Sequence, residues 1–166
     1  RRSILCMTCD TGMNVIATRN SGTDGPPYVA EVGLPDKLLP FAGRADVIVS
    51  TLPLTAETKG LMNKAFFDAA KRGALFINVG RGGTVVTGDL VAALVDGRLG
   101  GAGLDVTDPE PLPAEHPLWR TPNVIITPNI GGRSDRFVEQ TMRIVEPNLQ
   151  AFLDGRLKDL QNLIAH

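Results

Sequence analysis

Cysteine and histidine are scarce in this sequence, and neither sign of charge dominates. The 166 residues include two cysteines and two histidines, which excludes a disulfide-stapled scaffold. Lys and Arg number 17 and Asp and Glu 18, a formal net charge of −1 that argues against a strongly basic nucleic-acid binder. No apolar run approaches the roughly 20 residues of a membrane span, and no secretory signal opens the sequence. We therefore expect a globular protein of the cytoplasm, with one domain over residues 1–166.

The first eleven residues contain both cysteines, Cys6 and Cys9, in a C-x-x-C arrangement. No second cysteine pair and no nearby histidine accompany them, so no metal site is expected. The apolar side chains of this segment recur at helical spacing, and its link to the next apolar run is too short for a parallel crossover. We predict a helix over residues 1–11.

Short apolar runs alternate with amphipathic stretches along the rest of the chain. The runs are typical of buried parallel strands, because they are apolar on both faces. We predict strands over residues 13–18, 46–52, 74–79, 102–106 and 124–127, and helices over residues 63–72, 87–96 and 134–154. Asn63 and Thr87 are the predicted N-caps of the first two helices, and Pro147 is expected to kink the third. This alternation predicts an α/β fold, a parallel sheet with helices on both faces.

The segments that follow the predicted strands collect polar residues and glycine. Ligands of open parallel sheets bind beyond the carboxyl ends of the strands, so these segments predict a site. They are residues 19–22, 53–55, 80–83, 107–111 and 128–132. Neither His116 nor His166 directly follows a strand, and we interpret His116 as structural.

Two charged side chains of these segments are candidate site residues. Arg81 lies between glycines, where a guanidinium can grip a carboxylate through two parallel hydrogen bonds; the alternative is a surface arginine in a glycine turn. Glu110 lies between two prolines on a stiffened loop and could orient an acid or base; the alternative is a solvated carboxylate.

Two further positions point to a nucleotide. Asp105 interrupts an apolar strand, where it either accepts from a ligand amide or caps a neighbouring loop. Arg19 stands where dinucleotide-binding folds usually place an acidic residue for the ribose 2′-hydroxyl. An arginine there favours a 2′-phosphate, hence NADP over NAD, and Ser21 beside it is a further candidate cofactor-binding residue. The alternative is a solvent-facing turn.

Three stretches resemble the D-isomer-specific 2-hydroxyacid dehydrogenases over nearly the whole chain. They are GMNVIATRNSG, VIVSTLPLTAETKGLMNKAFF and NVGRGGTVVTGDLVAALVDGRLGGAGLDVTDPEPLPAEHPLWRTPNVIITP. The resemblance implies the Rossmann-like nucleotide-binding domain of an NAD(P)-dependent oxidoreductase, closest in pattern to glyoxylate/hydroxypyruvate reductase-like members. The family's substrate would be a small 2-oxo or 2-hydroxy acid.

The resemblance also implies roles for individual residues. Arg81 matches the arginine that binds the substrate carboxylate, Glu110 the carboxylate paired with a catalytic histidine, and Asp105 the contact to the nicotinamide carboxamide. The family's cofactor-lining positions match Leu52, Pro53 and Thr58. From their places beside the strand ends we add to the cofactor site Asn20, Val79, Gly80 and Gly131.

Three departures from the family pattern change the expected function. Asn129 stands in the position of the catalytic histidine, and an amide delivers no proton near neutral pH. The Gly-rich fingerprint and the usual first strand have no counterpart in these residues, and neither has the substrate domain. That strand is central in the usual order, so we expect open edges that a second copy or a partner chain would cover.

The sequence thus predicts an NADP(H)-binding domain of dehydrogenase type, with NAD possible, and with weak or no catalysis. One alternative is a non-catalytic interaction module built on the same scaffold. Another is a fragment of a full-length dehydrogenase.

Overall fold

The structure, a computed structural model, describes residues 11–132 and 135–162. The predicted helix over residues 1–11, with its two cysteines, lies almost entirely outside this part. The strands are β1 (Ile16–Thr18), β2 (Glu31–Gly33), β3 (Val47–Ser50), β4 (Ala74–Asn78), β5 (Leu99–Leu104) and β6 (Val124–Ile126). The helices are α1 (Leu38–Ala42), α2 (Lys64–Ala69), α3 (Thr87–Val95) and α4 (Phe137–Leu153).

All strand pairs in the described residues are parallel, and they form two sheets. β1 pairs with β2, and β3, β4, β5 and β6 pair in that order. β1 and β3 belong to different sheets. These are the two strands that would flank the central first strand in the usual Rossmann order. The predicted parallel α/β architecture is confirmed.

The observed strands differ from the predicted ones at their ends. β5 starts at Leu99, three residues before its predicted start, and ends at Leu104. β2 has no predicted counterpart; it contains a single half-buried apolar side chain, Val32, between Glu31 and Gly33. It is a strand because it pairs with β1, and its own three residues show no apolar pattern that would predict it.

The helix caps agree with prediction at one position and not at the other. Asn63 caps α2, because its side chain accepts a hydrogen bond from the Phe66 amide. The predicted Thr87 cap is wrong: Val86 is the N-cap residue of α3, and Thr87 is the first helical residue. The Thr87 hydroxyl donates instead to the Asp108 carbonyl, 2.8 Å away, and so fastens the helix start to the loop after β5.

The core lies on one face of the four-stranded sheet. Phe76 of β4 is fully buried and meets Phe66 and Phe67 of α2 edge to face, with ring centroids 6.3 and 5.5 Å away. Such aromatic contacts stabilise by about 0.5–1.5 kcal/mol each beyond area burial. Leu90 of α3 and Leu104 of β5 belong to the same cluster. This packing holds the carboxyl ends of the strands in fixed positions.

The opposite face of the same sheet carries exposed apolar side chains. Parallel register places Val47 beside Leu75, and Val49 in one row with Ile125. Val47 is 41% exposed, Val49 39%, Leu75 44% and Ile125 71%. This surface is termed the bare face below.

Contacts divide the chain into two compact units, one up to Asn129 and one from Ile130 onward. The second unit contains α4, which includes Pro147 in its interior and is followed by Gly155 in a left-handed conformation (φ 72°). The prediction of a single domain over residues 1–166 stays a prediction. No helix in the described ranges combines the length and apolarity needed to cross a bilayer.

Candidate active site

The loops that follow β3, β4 and β5 touch one another through glycines. A Cβ on Gly80 would lie 2.6 Å from the Leu52 carbonyl oxygen, and one on Gly82 would lie 1.9 Å from the Thr107 carbonyl oxygen. Only glycine permits such backbone approach. The three loops therefore form one continuous rim at the carboxyl edge of the sheet, where the sequence predicts a site.

Arg81 lies on this rim between the two close-packed glycines. Its backbone is held because its carbonyl oxygen accepts hydrogen bonds from the side-chain amide of Asn78 at 3.2 Å and from the Thr84 hydroxyl at 2.7 Å. The side chain is exposed, and its Nη1 donates to the Gly80 carbonyl at 2.8 Å. An exposed guanidinium next to a fixed backbone can bind a carboxylate.

Glu110 and Asn129 meet across the loops after β5 and β6. The Asn129 Nδ2 donates to the Glu110 Oε1 at 2.9 Å. Asn129 adopts a left-handed backbone (φ 53°), and its amide N–H donates to the carbonyls of Asp105 and Thr127 at 2.8 and 3.0 Å. The side chain thus starts from a fixed backbone and points at a carboxylate. The resemblance implies a pair at these two positions, and the role of the pair stays a prediction.

Asp105 is buried at the end of β5, with 8% of its surface exposed. Its Oδ1 accepts a 2.6 Å hydrogen bond from the Thr127 hydroxyl, which compensates part of the free-energy cost of burying the carboxylate. Sequence reasoning missed Thr127 and Asn78 as supports of the site. The available signal was a polar residue closing an apolar strand, as in ALFIN and VIIT.

The loop after β3 is closed by hydrogen bonds of its own. The Thr58 hydroxyl donates to the Pro53 carbonyl at 2.6 Å and accepts from the Thr55 amide at 2.8 Å. The Thr55 hydroxyl donates to Glu57, which lowers the pKa of that exposed carboxyl below its ordinary value. Leu52 packs partly against the core. These contacts fix the conformation of the loop after β3; the cofactor role of Leu52, Pro53 and Thr58 stays a prediction.

Arg19 follows β1 and belongs to the other sheet. Its backbone N–H donates to the Gly33 carbonyl, and its Nη1 donates to the Asp24 carbonyl at 2.9 Å. Asn20 and Ser21 are exposed beside it. The hydrogen bond to Asp24 helps to hold the loop together. The guanidinium is exposed, so an anion could bind to it.

The remaining predicted cofactor residues are placed as follows. Val79 is exposed and Gly80 buried at the end of β4, next to Arg81. Gly131 lies in the second unit. The structure therefore gathers Arg81, Asp105, Glu110 and Asn129 at one sheet edge, in line with the strand-end argument.

An open parallel sheet packed against helices, with polar side chains beyond the carboxyl ends of its strands, is the architecture of a nucleotide-binding α/β domain. The family model described as "D-isomer specific 2-hydroxyacid dehydrogenase, NAD binding domain" matches residues 2–131. The chain belongs to that family.

Relatives and solved structures agree with this assignment. A human glyoxylate reductase/hydroxypyruvate reductase is 45% identical over 115 residues, which cover 69% of this chain and 35% of that protein. An NADPH-dependent glyoxylate/hydroxypyruvate reductase from Sinorhizobium meliloti, crystallised with NADP and sulfate, superposes with a TM-score of 0.81 at 37% identity. The superposition covers 90% of this chain and 48% of that one. A family member from Xanthobacter autotrophicus Py2 with NADPH and MES gives a TM-score of 0.80 at 32% identity, covering 89% and 60%. The chain thus spans 35% to 60% of the length of these three proteins.

Proposed function

We propose that this chain is the cofactor-binding part of an NADP(H)-dependent protein acting on a small 2-oxo or 2-hydroxy acid, with weak or no catalysis of its own. The observation that carries the proposal is the hydrogen bond between Asn129 and Glu110. It reproduces a carboxylate-oriented side chain at the sheet edge, but the oriented group is an amide. General acid catalysis contributes about 10²–10⁴-fold to a rate, and an amide does not provide it.

Two described side chains would hold parts of a dinucleotide: Asp105 beyond the four-stranded sheet and Arg19 beyond the two-stranded one. The fixed carboxylate of Asp105 can accept from a carboxamide N–H, and the exposed guanidinium of Arg19 can bind a phosphate. A bound nicotinamide would supply the hydride chemistry itself. This chain's own part is to hold the substrate carboxylate on Arg81 and to orient Asn129 through Glu110. A location in the cytoplasm stays a prediction.

The cofactor proposal is tested by calorimetric titration of the purified chain with NADPH and with NADH. We expect NADPH to bind more tightly, and Arg19→Ala to weaken NADPH binding about tenfold while NADH binding is unchanged, because a charge-assisted hydrogen bond to the 2′-phosphate is lost. Arg72→Ala is the matched control, since Arg72 is exposed just before β4, at the opposite edge of the sheet. Equal loss of both nucleotides on Arg19→Ala would contradict a 2′-phosphate contact.

A second candidate function, an interaction module, is favoured by the bare face. Contiguous exposed apolar side chains mark association surfaces more often than isolated ones do. We infer self-association of two copies through this face, independent of whether the edge binds nucleotide.

Replacing Val49 by lysine is expected to shift the chain toward monomer, because a charge in the middle of an apolar interface costs desolvation. The molar mass is measured by light scattering during size-exclusion chromatography over a concentration series. Val95→Lys is the control, because Val95 is 68% exposed on α3. A wild-type chain that is monomeric at all concentrations, or a Val49→Lys chain that still dimerises, would rule out this interface.

A further inference from the structure

A groove between α2 and α3 lies away from the candidate active site. Arg72 follows α2 and precedes β4, and Arg98 follows α3 and precedes β5. Because β4 and β5 are neighbouring parallel strands, both arginines stand at the amino edge of the sheet, opposite to Arg81. The Gly73 N–H joins the two segments by donating to the Arg98 carbonyl at 2.8 Å. Both arginine side chains line the groove, a cavity of about 180 Å³.

The groove has the volume and the lining of a small-molecule site. Its volume is more than ten times the roughly 10–15 Å³ that one water molecule needs. Phe67 and Ala93 line it and are 1% and 7% exposed, so its inner surface is apolar. The methylene groups of a ligand can pack on this surface while its charged groups meet the side chains nearer to solvent.

The carboxylates at one end of the groove have partners in the chain. Asp68 forms a 2.7 Å ion pair with the Lys64 ammonium, and Asp89 Oδ2 accepts a 2.7 Å hydrogen bond from the Lys64 backbone N–H. The hydrogen bond and the charge of Asp68 raise the pKa of Lys64, and Asp89 and Asp96 add to this more weakly. Asp89 lies seven residues before Asp96, about 10 Å along the helix axis. Lys64 and its two partners therefore define one end of the groove, and Asp96 lies at the other.

The other end carries three charged side chains that are not engaged. Across residues 11–132 and 135–162, no hydrogen bond or ion pair holds the guanidinium of Arg72 or Arg98 or the carboxylate of Asp96. Arg98 is half-buried, so water reaches only part of it. A guanidinium binds a carboxylate through two parallel hydrogen bonds, and a carboxylate accepts from an ammonium group. The groups that a ligand can use are thus two cations and one anion.

We propose that this groove binds an acidic amino acid, a ligand with two carboxylates and one ammonium group. Arg72 and Arg98 would each hold one carboxylate, and Asp96 would accept from the ammonium. A plain dicarboxylate offers Asp96 no donor, and an amino acid with a neutral side chain leaves one guanidinium without a carboxylate. The inference does not depend on the proposed function, because the groove lies at the opposite edge of the sheet.

The test is calorimetric titration of the chain with L-glutamate and with L-aspartate at physiological ionic strength. Each is compared with its amide, glutamine or asparagine, and with the dicarboxylate of the same length, glutarate or succinate. A hydrogen bond between charged groups changes affinity by about tenfold or more. We expect at least one of the two acidic amino acids to bind about tenfold more tightly than both of its analogues.

Three variants assign the contacts. Arg98→Met keeps an unbranched side chain and removes the guanidinium, so binding of the acidic amino acid should weaken about tenfold. Asp96→Asn removes the partner of the ammonium, so the preference over the dicarboxylate should disappear while the dicarboxylate binds no worse. Arg120→Met, at an exposed arginine that does not line the groove, is the control and should leave all affinities unchanged. Circular dichroism checks that each variant is folded.

The contrary results are equally specific. If neither acidic amino acid binds the wild-type chain, the proposal is wrong. Dicarboxylates that bind as tightly as the amino acids would overturn it by showing a general anion site. An affinity that is the same in Arg98→Met as in the wild-type chain would overturn it by placing the ligand elsewhere.

Discussion

Asn129→His is expected to raise kcat/KM for NADPH-dependent reduction of pyruvate by about 10²–10⁴-fold over the wild-type chain. The amide and the carboxylate of Glu110 are 2.9 Å apart, so an imidazole N–H at the same position can donate to the same oxygen. The second ring nitrogen would then face the ligand. Protonated, it would donate to the substrate carbonyl oxygen and could transfer its proton there, whereas an amide N–H releases no proton near neutral pH.

The pH dependence of this variant follows from the same contact. The Glu110 carboxylate favours the charged imidazolium, so it would raise the pKa of the introduced histidine above the ordinary value of about 6.5. Reduction needs the protonated ring, so the rate should be constant at low pH and fall as pH rises through that raised pKa. Turnover is followed by NADPH absorbance.

Two controls identify the added proton donor as the cause. Asn129→Gln changes the side chain without adding a titratable group and should stay as slow as wild type. Arg81→Ala in the histidine background should lose the gain, because the substrate carboxylate loses its partner. A histidine variant no faster than the glutamine variant would show that the missing acid is not what limits this chain.

Gly82→Ala is expected to destabilise the fold by about 3 kcal/mol, the upper part of the usual range for overpacking. A Cβ there would lie 1.9 Å from the Thr107 carbonyl oxygen and 2.2 Å from its carbonyl carbon. Both atoms are backbone, so no rotamer change can relieve the clash, and the loops after β4 and β5 must part. The free energy of unfolding is measured by urea denaturation followed by circular dichroism.

Gly88→Ala is the matched control for this substitution. Gly88 lies in α3, and a Cβ there meets nothing within 4 Å. Alanine is favoured over glycine in a helix by up to about 1 kcal/mol, so this variant should be slightly more stable than wild type. An equal effect of the two alanines would contradict the close packing of the rim.

The fold was predictable where the local pattern and the packing agree. The continuous apolar run of β4 identifies a buried strand, and the Asn63 side chain identifies the start of α2. At β5 the two disagree. Gly100 and Gly101 are typical of a turn, yet a Cβ on them would lie 2.5 Å from the Gly73 carbonyl oxygen and 2.8 Å from that of Asn123. Tertiary packing therefore keeps glycine inside the strand, which no local pattern signals.

The positions of the candidate site residues were predictable to the level of the sheet edge. Parallel strands end at one edge, so strand placement alone brings Arg81, Glu110 and Asn129 to the same edge of the sheet. The partner of each polar atom was not predictable, because it depends on loop conformation. Two such contacts are the hydrogen bond from the Thr127 hydroxyl to Asp105 and the hydrogen bond from the Asn129 side chain to Glu110.

The exclusively parallel pairing has a consequence for how quickly the described part of the chain can fold. None of its strand pairs is a hairpin, and register partners such as Gly103 and Ile125 are more than twenty residues apart in sequence. Each pairing must close a long loop before its hydrogen bonds and side-chain contacts compensate the lost chain entropy. Folding should accordingly be slower than in helical bundles of this size. Until the strands have paired, their free edges can pair with other chains and cause aggregation.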